Sequence, residues 1–100
     1  MLNQAILVGR VIKLPEVKKE NNKNILELTI AVPRNYKNED GIYETDFLNC
    51  ILYNDVALNT KQFCNIGNIV GIKGRLQNIN NIPIVMAEKV TFLAPNKENE

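Results

Sequence analysis

One hundred residues with 45% hydrophobic content suffice for one domain that closes a core without disulfide support, so a second domain is not expected. The chain has no histidine, which excludes an imidazole base, an imidazole metal ligand and a Ser-His-Asp triad. The formal net charge of +1 is unevenly spread: residues 1–37 carry seven Lys or Arg against three acids, residues 38–60 five acids and no base, and residues 61–89 four bases against one acid. Two basic regions flanking an acidic one allow a positive groove but no strongly basic surface.

The opening segment lacks the basic leader and cleavage site of a signal peptide, and no apolar run approaches a membrane span, so a cytoplasmic, nucleoid-associated protein is expected. Residues 5–12, Ala-Ile-Leu-Val-Gly-Arg-Val-Ile, read as a strand apolar on both faces, with Gly9 marking a bulge or bend. Such a strand needs cover from beyond its own barrel. Leu14 to Asn24 reads as a polar loop with Pro15, Lys18, Lys19 and Lys23, and with Asn21, Asn22 and Asn24 suited to turns.

Ile25 to Val32 alternates, with Leu26, Leu28, Ile30 and Val32 toward the core and Glu27, Thr29 and Ala31 away from it. Pro33 to Ile42 then reads as a second loop, carrying Arg34, Tyr36 and Lys37 at its start. Strand character returns over Tyr43–Tyr53, where Leu48, Cys50 and Leu52 point one way and Tyr43, Thr45, Phe47, Asn49, Ile51 and Tyr53 the other. Asn54 or Asp55 supplies an N-cap oxygen for a helix over Val56–Cys64, with Val56, Thr60 and Phe63 at helical spacing and Gly67 as the breaker.

Ile69–Leu76 is the fourth strand, with Val70, Ile72 and Leu76 set against Lys73 and Arg75. Asn80-Asn81 fits a two-residue hairpin, Ile82–Leu93 is the fifth strand, and Pro95–Glu100 is a short polar tail. Cys50 and Cys64 lie in apolar segments without metal-site spacing and read as reduced core residues. Three strands, a helix and two strands give an all-β, five-stranded OB-type barrel with one short helix between strands 3 and 4, occupying residues 1–95 and followed by the tail at 96–100.

Four of the six aromatic residues, Tyr36, Tyr43, Phe47 and Tyr53, fall within eighteen residues. Large rings on an outer sheet face are costly unless something covers them. Bases present flat π-faces, and stacking contributes about 1–3 kcal/mol per base without demanding a sequence, so these rings beside Lys and Arg suit single-stranded nucleic acid. The plain alternative is that they cover a subunit contact. Acid pairs such as Asp40 with Glu44, or Glu44 with Asp46, could hold a metal for phosphodiester cleavage, but a solvated acidic turn is commoner; no catalytic residue, metal or cofactor is expected.

The residues also resemble the bacterial single-stranded DNA-binding proteins, usually called SSB. Residues 2–11 (Leu-Asn-Gln-Ala-Ile-Leu-Val-Gly-Arg-Val) are similar to that family's opening strand, 28–32 (Leu-Thr-Ile-Ala-Val) to its second, 45–53 (Thr-Asp-Phe-Leu-Asn-Cys-Ile-Leu-Tyr) to its third, and 68–76 (Asn-Ile-Val-Gly-Ile-Lys-Gly-Arg-Leu) to its fourth. The resemblance implies non-specific single-stranded DNA binding in replication, recombination and repair, with Tyr36, Phe47 and Tyr53 stacking on bases. It places Asn3, Arg34, Lys37, Asn49, Lys73 and Arg75 among the phosphate-holding positions. It further implies a homotetramer, or at least a dimer built through the first strand. Two departures stand out. The last hairpin, usually long, basic and aromatic, is reduced to about Asn80-Asn81, and no long acidic-tipped tail follows, so tail-dependent replication partners are not expected. A short, tailless relative of SSB, the primosomal OB-fold dimer that acts in replication restart, is the alternative.

Overall fold

The computed structural model describes residues 1–93, so the expected tail, and the end of the expected domain at residue 95, lie outside the described residues. Chain order is β1 (Ala5–Lys13), β2 (Lys18–Glu20), β3 (Lys23–Lys37), β4 (Tyr43–Tyr53), α1 (Asn54–Phe63), β5 (Ile69–Ile79) and β6 (Ile82–Phe92). The sheet runs β1-β5-β6-β4-β3-β2, and an added β1–β3 pairing closes β1, β5, β6, β4 and β3 into a barrel. All these pairings are antiparallel except the short β4–β6 contact at Cys50↔Val85 and Ile51↔Met86. This is the five-stranded barrel expected from the sequence, with the helix between its third and fourth strands.

The alternation of β3 and β4 sets the core. Leu26, Leu28, Ile30, Cys50 and Leu52 are fully buried, joined by Val11 from β1 and by Val70 and Ile72 from β5. Helix α1 packs against β3, β4 and β6 and buries Ala57 and Thr60, with Cys64 just beyond its end. Both cysteines are unpaired and buried, as expected, and burial pushes the Cys50 thiol up to about 12. No helix among the described residues is long and apolar enough to cross a membrane.

Several boundaries and contacts differ from the sequence reading. The loop expected over 14–24 contains β2, paired with β3 through Lys18↔Ile25 and Glu20↔Lys23. Its three residues are all exposed, so no hydrophobic alternation marks it. The loop expected from Pro33 is also strand as far as Lys37. Pro33 lies opposite Thr45 at the start of a bulge between Pro33 and Lys37, where a residue without an N–H is tolerated. The connection tightens at Asn38, whose Oδ1 accepts from the backbone N–H groups of Asp40 and Ile42.

The helix starts without the expected side-chain cap. Asn54 instead takes a positive φ of 54°, and its Oδ1 accepts the Asn24 backbone N–H at 3.3 Å. Phe63 does not join the core; it is 62% exposed. Leu76, expected to alternate inward with Val70 and Ile72, is also exposed, because β5 and β6 run past the barrel as a two-stranded arm. That arm ends in the expected turn, with Asn80 and Asn81 at φ 52° and 66°.

Gly9 marks no bulge: β1 pairs with β5 in unbroken register across it, and the irregularity with β3 falls between Val11 and Lys13. Glycine is needed there because a Cβ would stand 2.8 Å from the Ala31 carbonyl oxygen and 2.9 Å from Val32 Cγ2. Finally, β1 is covered on one face only. Ile6 and Val8 remain 71% and 54% exposed, so the cover its two-faced apolarity calls for is not supplied by the chain's own barrel.

Candidate nucleic-acid interface

Because side chains alternate along β4, burying Cys50 and Leu52 forces Phe47, Asn49, Ile51 and Tyr53 onto the outer surface. Their partners on β3 are Ala31, Thr29, Glu27 and Ile25 respectively. Phe47 is 64% exposed beside the small Ala31, which leaves its ring open above the sheet. Asn49 is held by its cross-strand neighbour, its Oδ1 accepting from Thr29 Oγ1 at 2.9 Å. Tyr53 is only partly exposed, at the helix end of the strand. Tyr36 and Tyr43, 59% and 57% exposed, lie at the other end, where the β3 bulge brings Lys37 opposite Tyr43.

Two ammonium groups accompany the rings. Lys37 Nζ stands 5.7 Å from the Tyr43 ring centroid and Lys23 Nζ 5.8 Å from that of Tyr53. Sequence reading put Lys23 in a loop and left it out of the site. Its signal was the pairing of Asn21-Asn22, both at positive φ, with flanking lysines, which is the pattern of a short hairpin that presents charge.

Arg34, in the β3 bulge, is not free. Its Nε and Nη2 donate to the two carboxylate oxygens of Asp46 at 3.1 and 2.9 Å, and Nη1 donates to Glu44 Oε1 at 3.0 Å. The forked bond to Asp46 keeps the guanidinium firmly protonated, and the Arg34 hydrogen bonds hold the Asp46 carboxyl below its usual range. Glu44 and Asp46, considered as metal ligands from the sequence, are thus committed to an arginine.

The remaining candidates lie elsewhere. Lys73 and Arg75 are on β5, which pairs with β1 and β6 and not with β3 or β4. Lys73 is exposed, whereas Arg75 donates to Glu88 Oε2 at 3.2 Å and to Gln77 Oε1 at 3.3 Å. Asn3 ties the chain's start to the arm: its Nδ2 donates to the Leu76 carbonyl at 2.8 Å, and its Oδ1 accepts the Leu76 N–H at 2.9 Å. The structure therefore brings Tyr36, Phe47, Tyr53, Arg34, Lys37 and Asn49 onto β3 and β4 and sets Asn3, Lys73 and Arg75 apart from them.

A closed five-stranded barrel, plugged by one helix and carrying exposed rings on its β3–β4 face, defines an OB-fold binding protein. The model of the Single-strand binding protein family matches residues 2–82, and the chain belongs to that family. Single-stranded DNA-binding protein B of Bacillus subtilis is 35% identical over 105 residues, which span 95% of this chain and 93% of that protein. Among solved structures, the small single-stranded DNA-binding protein of Streptomyces coelicolor superposes with a TM-score of 0.74 at 17% identity, covering 99% of this chain and 97% of that one. The protein priB of Ralstonia solanacearum gives a TM-score of 0.76 at 10% identity, over 93% of this chain and all of that one. At those identities the two structures bear on the fold alone.

Proposed function

We propose that this chain binds single-stranded DNA, largely without sequence preference, and protects it during replication, recombination and repair. The observation that carries the reading is the run of rings along β3 and β4, Tyr36, Tyr43, Phe47 and Tyr53, at least partly open to solvent and with a lysine ammonium beside each of two of them. Tyr36, Phe47 and Tyr53 stack on bases, while Lys37 and Asn49 bind the backbone of the strand as it crosses them. Arg34 and Arg75 serve phosphates by exchanging a carboxylate oxygen for a phosphate oxygen, and Lys73 and Asn3 contribute from the β5 side. Residues 1–95 form the binding domain, which acts by binding alone, without catalysis, metal or cofactor, in the cytoplasm.

Self-association belongs to the same reading. Ile6 and Val8 project from β1 with no cover, and a second copy laid on that strand buries them in a dimer, two of which make the tetramer. Titrating oligo-dT against tyrosine fluorescence, with solution mass measured in parallel, tests both parts. Quenching that saturates at a fixed number of nucleotides per oligomer supports the reading. The short Asn80-Asn81 turn favours a second reading, an assembly-factor dimer, which a dimeric mass with weak oligo-dT binding would support instead.

A further inference from the structure

Where β5 leaves the barrel, it is held by a side chain from the start of the chain. The β1–β5 ladder ends at Ala5↔Gly74, and two residues further the same register sets Asn3 opposite Leu76. No strand continues there, because β1 begins at Ala5. The Asn3 amide takes the place of the missing backbone. It donates to the Leu76 carbonyl at 2.8 Å and accepts the Leu76 N–H at 2.9 Å, so one side chain satisfies both polar groups of a residue 73 positions away.

This clasp lies just beyond a bulge. Between Lys73 and Gly74 the pairing with β6 slips from Lys89 to Ala87, which leaves Glu88 as the extra residue. A bulge bends its strand, so the arm's course past it is not set by the ladder alone. Gly74 admits no side chain at this point, since a Cβ would run into the Met86 carbonyl. Arg75 follows, its guanidinium bonded to Glu88 Oε2 at 3.2 Å and Gln77 Oε1 at 3.3 Å, so the place of this cation follows the arm.

Register gives that place a meaning. Arg75 pairs with Met86 of β6 and Met86 with Ile51 of β4, so the three form one row across the sheet. Ile51 lies between Asn49 and Tyr53 on the outer side of β4, and Arg75 shares that side because Val70 and Ile72 take the inward positions of β5. Two strand spacings of about 4.8 Å put Arg75 roughly 10 Å from Ile51, near enough for its long side chain to meet a DNA backbone running beside Tyr53.

Resting on the single-stranded DNA reading, we infer that Asn3 is a positioning residue. It touches no phosphate itself; it clasps the arm at Leu76 and thereby keeps Arg75 set toward the aromatic strand, where the guanidinium takes the phosphate.

A neutral amide bonded to a phosphate releases no counterion, so its loss would weaken binding and leave the salt slope as it was; loss of a clasp that places a cation changes the slope. Oligo-dT affinity over a salt series, in a cycle of Asn3→Ala, Arg75→Gln and the double variant, separates the two. Hydrogen exchange at the Leu76 amide and solution mass are followed alongside. Asn3→Ala is expected to weaken binding roughly 3- to 10-fold and to flatten the log–log salt dependence by about 0.7. It should also open the Leu76 amide to exchange while that of Ile72 stays protected, and leave the mass unchanged. In the Arg75→Gln background it should have no further effect. Asn3→Leu, of similar size and without either hydrogen bond, should do the same, and it decides the matter if Asn3→Ala is unstable. Unchanged affinity, an unchanged slope, a still-protected Leu76 amide, additive losses in the double variant or a fall in mass each overturn the inference. If Phe47→Ala weakens binding while Asn3→Ala does not, only the clasp is lost; if neither has an effect, the single-stranded DNA reading falls with it.

Discussion

On β3 and β4 the large exposed side chains are rings, Tyr36, Tyr43 and Phe47, with ammonium groups of Lys23 and Lys37 alongside the stripe; on β1 they are the aliphatic Ile6 and Val8, opposite Lys73 and Gly71 of β5. Both faces break the rule that a barrel turns its apolar residues inward, but they do so with different chemistry. A ring gains by stacking on another π-face while its edge and neighbours stay wet, which matches a base on a charged backbone. A branched aliphatic chain gains only by leaving water, which matches the same surface on a second copy. The difference separates a ligand face from an assembly face within one small barrel.

The sharpest way to test that partition is to cut at two adjacent residues. Leu52 is fully buried and Tyr53 faces outward. Leu52→Ala should cost about 2–5 kcal/mol of stability in urea unfolding, whereas Tyr53→Ala should leave the unfolding midpoint nearly unchanged and act on binding. On the other face, Ile6→Asp places a carboxylate, opposite Lys73, where a second copy would have to bury it. Sedimentation should show the mass falling toward a single chain, while affinity for a short oligo-dT changes less than about twofold, within about 0.4 kcal/mol. If DNA affinity collapsed and the mass held, the two faces would have been assigned the wrong way round.

Smaller effects sharpen the charge map. Lys73→Ala, on β5, should flatten the salt dependence by no more than about 0.7 of slope, because at most one phosphate contact is lost. The Arg34–Asp46 pair should matter least. Asp46 is held below the ordinary carboxylate range by the Arg34 hydrogen bonds, so its stabilising contribution is present above that range and is lost as the pH falls through the depressed value. Asp46→Asn should therefore lower the melting temperature slightly at neutral pH and converge with the parent chain in strong acid. The difference stays small because both groups remain partly open to solvent, which screens the pair.

What could be read before the fold was known followed from alternation. The two-residue period of 26–32 and 43–53 set which side chains are buried, and with it the outward placement of Phe47, Asn49 and Tyr53. Readings failed where pairing is carried by the backbone or by residues far apart in sequence. Lys18-Lys19-Glu20 has no apolar member, so nothing local marks it as strand β2. Pro33 reads as a breaker, yet a bulge accommodates it within β3. Arg34 looks like a free phosphate ligand until the register of β3 on β4 sets it against Asp46 and Glu44. Asn54 has the chemistry of an N-cap, but its side chain is drawn to the Asn24 N–H across the barrel end.

The central claim is that rings on the outer face of β4 bind the bases, and the most direct measurement is oligo-dT affinity of the Phe47→Ala/Tyr53→Ala double variant at fixed salt, with thermal unfolding as the check on folding. Each ring should contribute about 1–3 kcal/mol, so the double variant should bind at least tenfold more weakly, as 1.4 kcal/mol is about tenfold, with its melting temperature little changed. A folded double variant that bound oligo-dT as tightly as the parent chain would contradict the account.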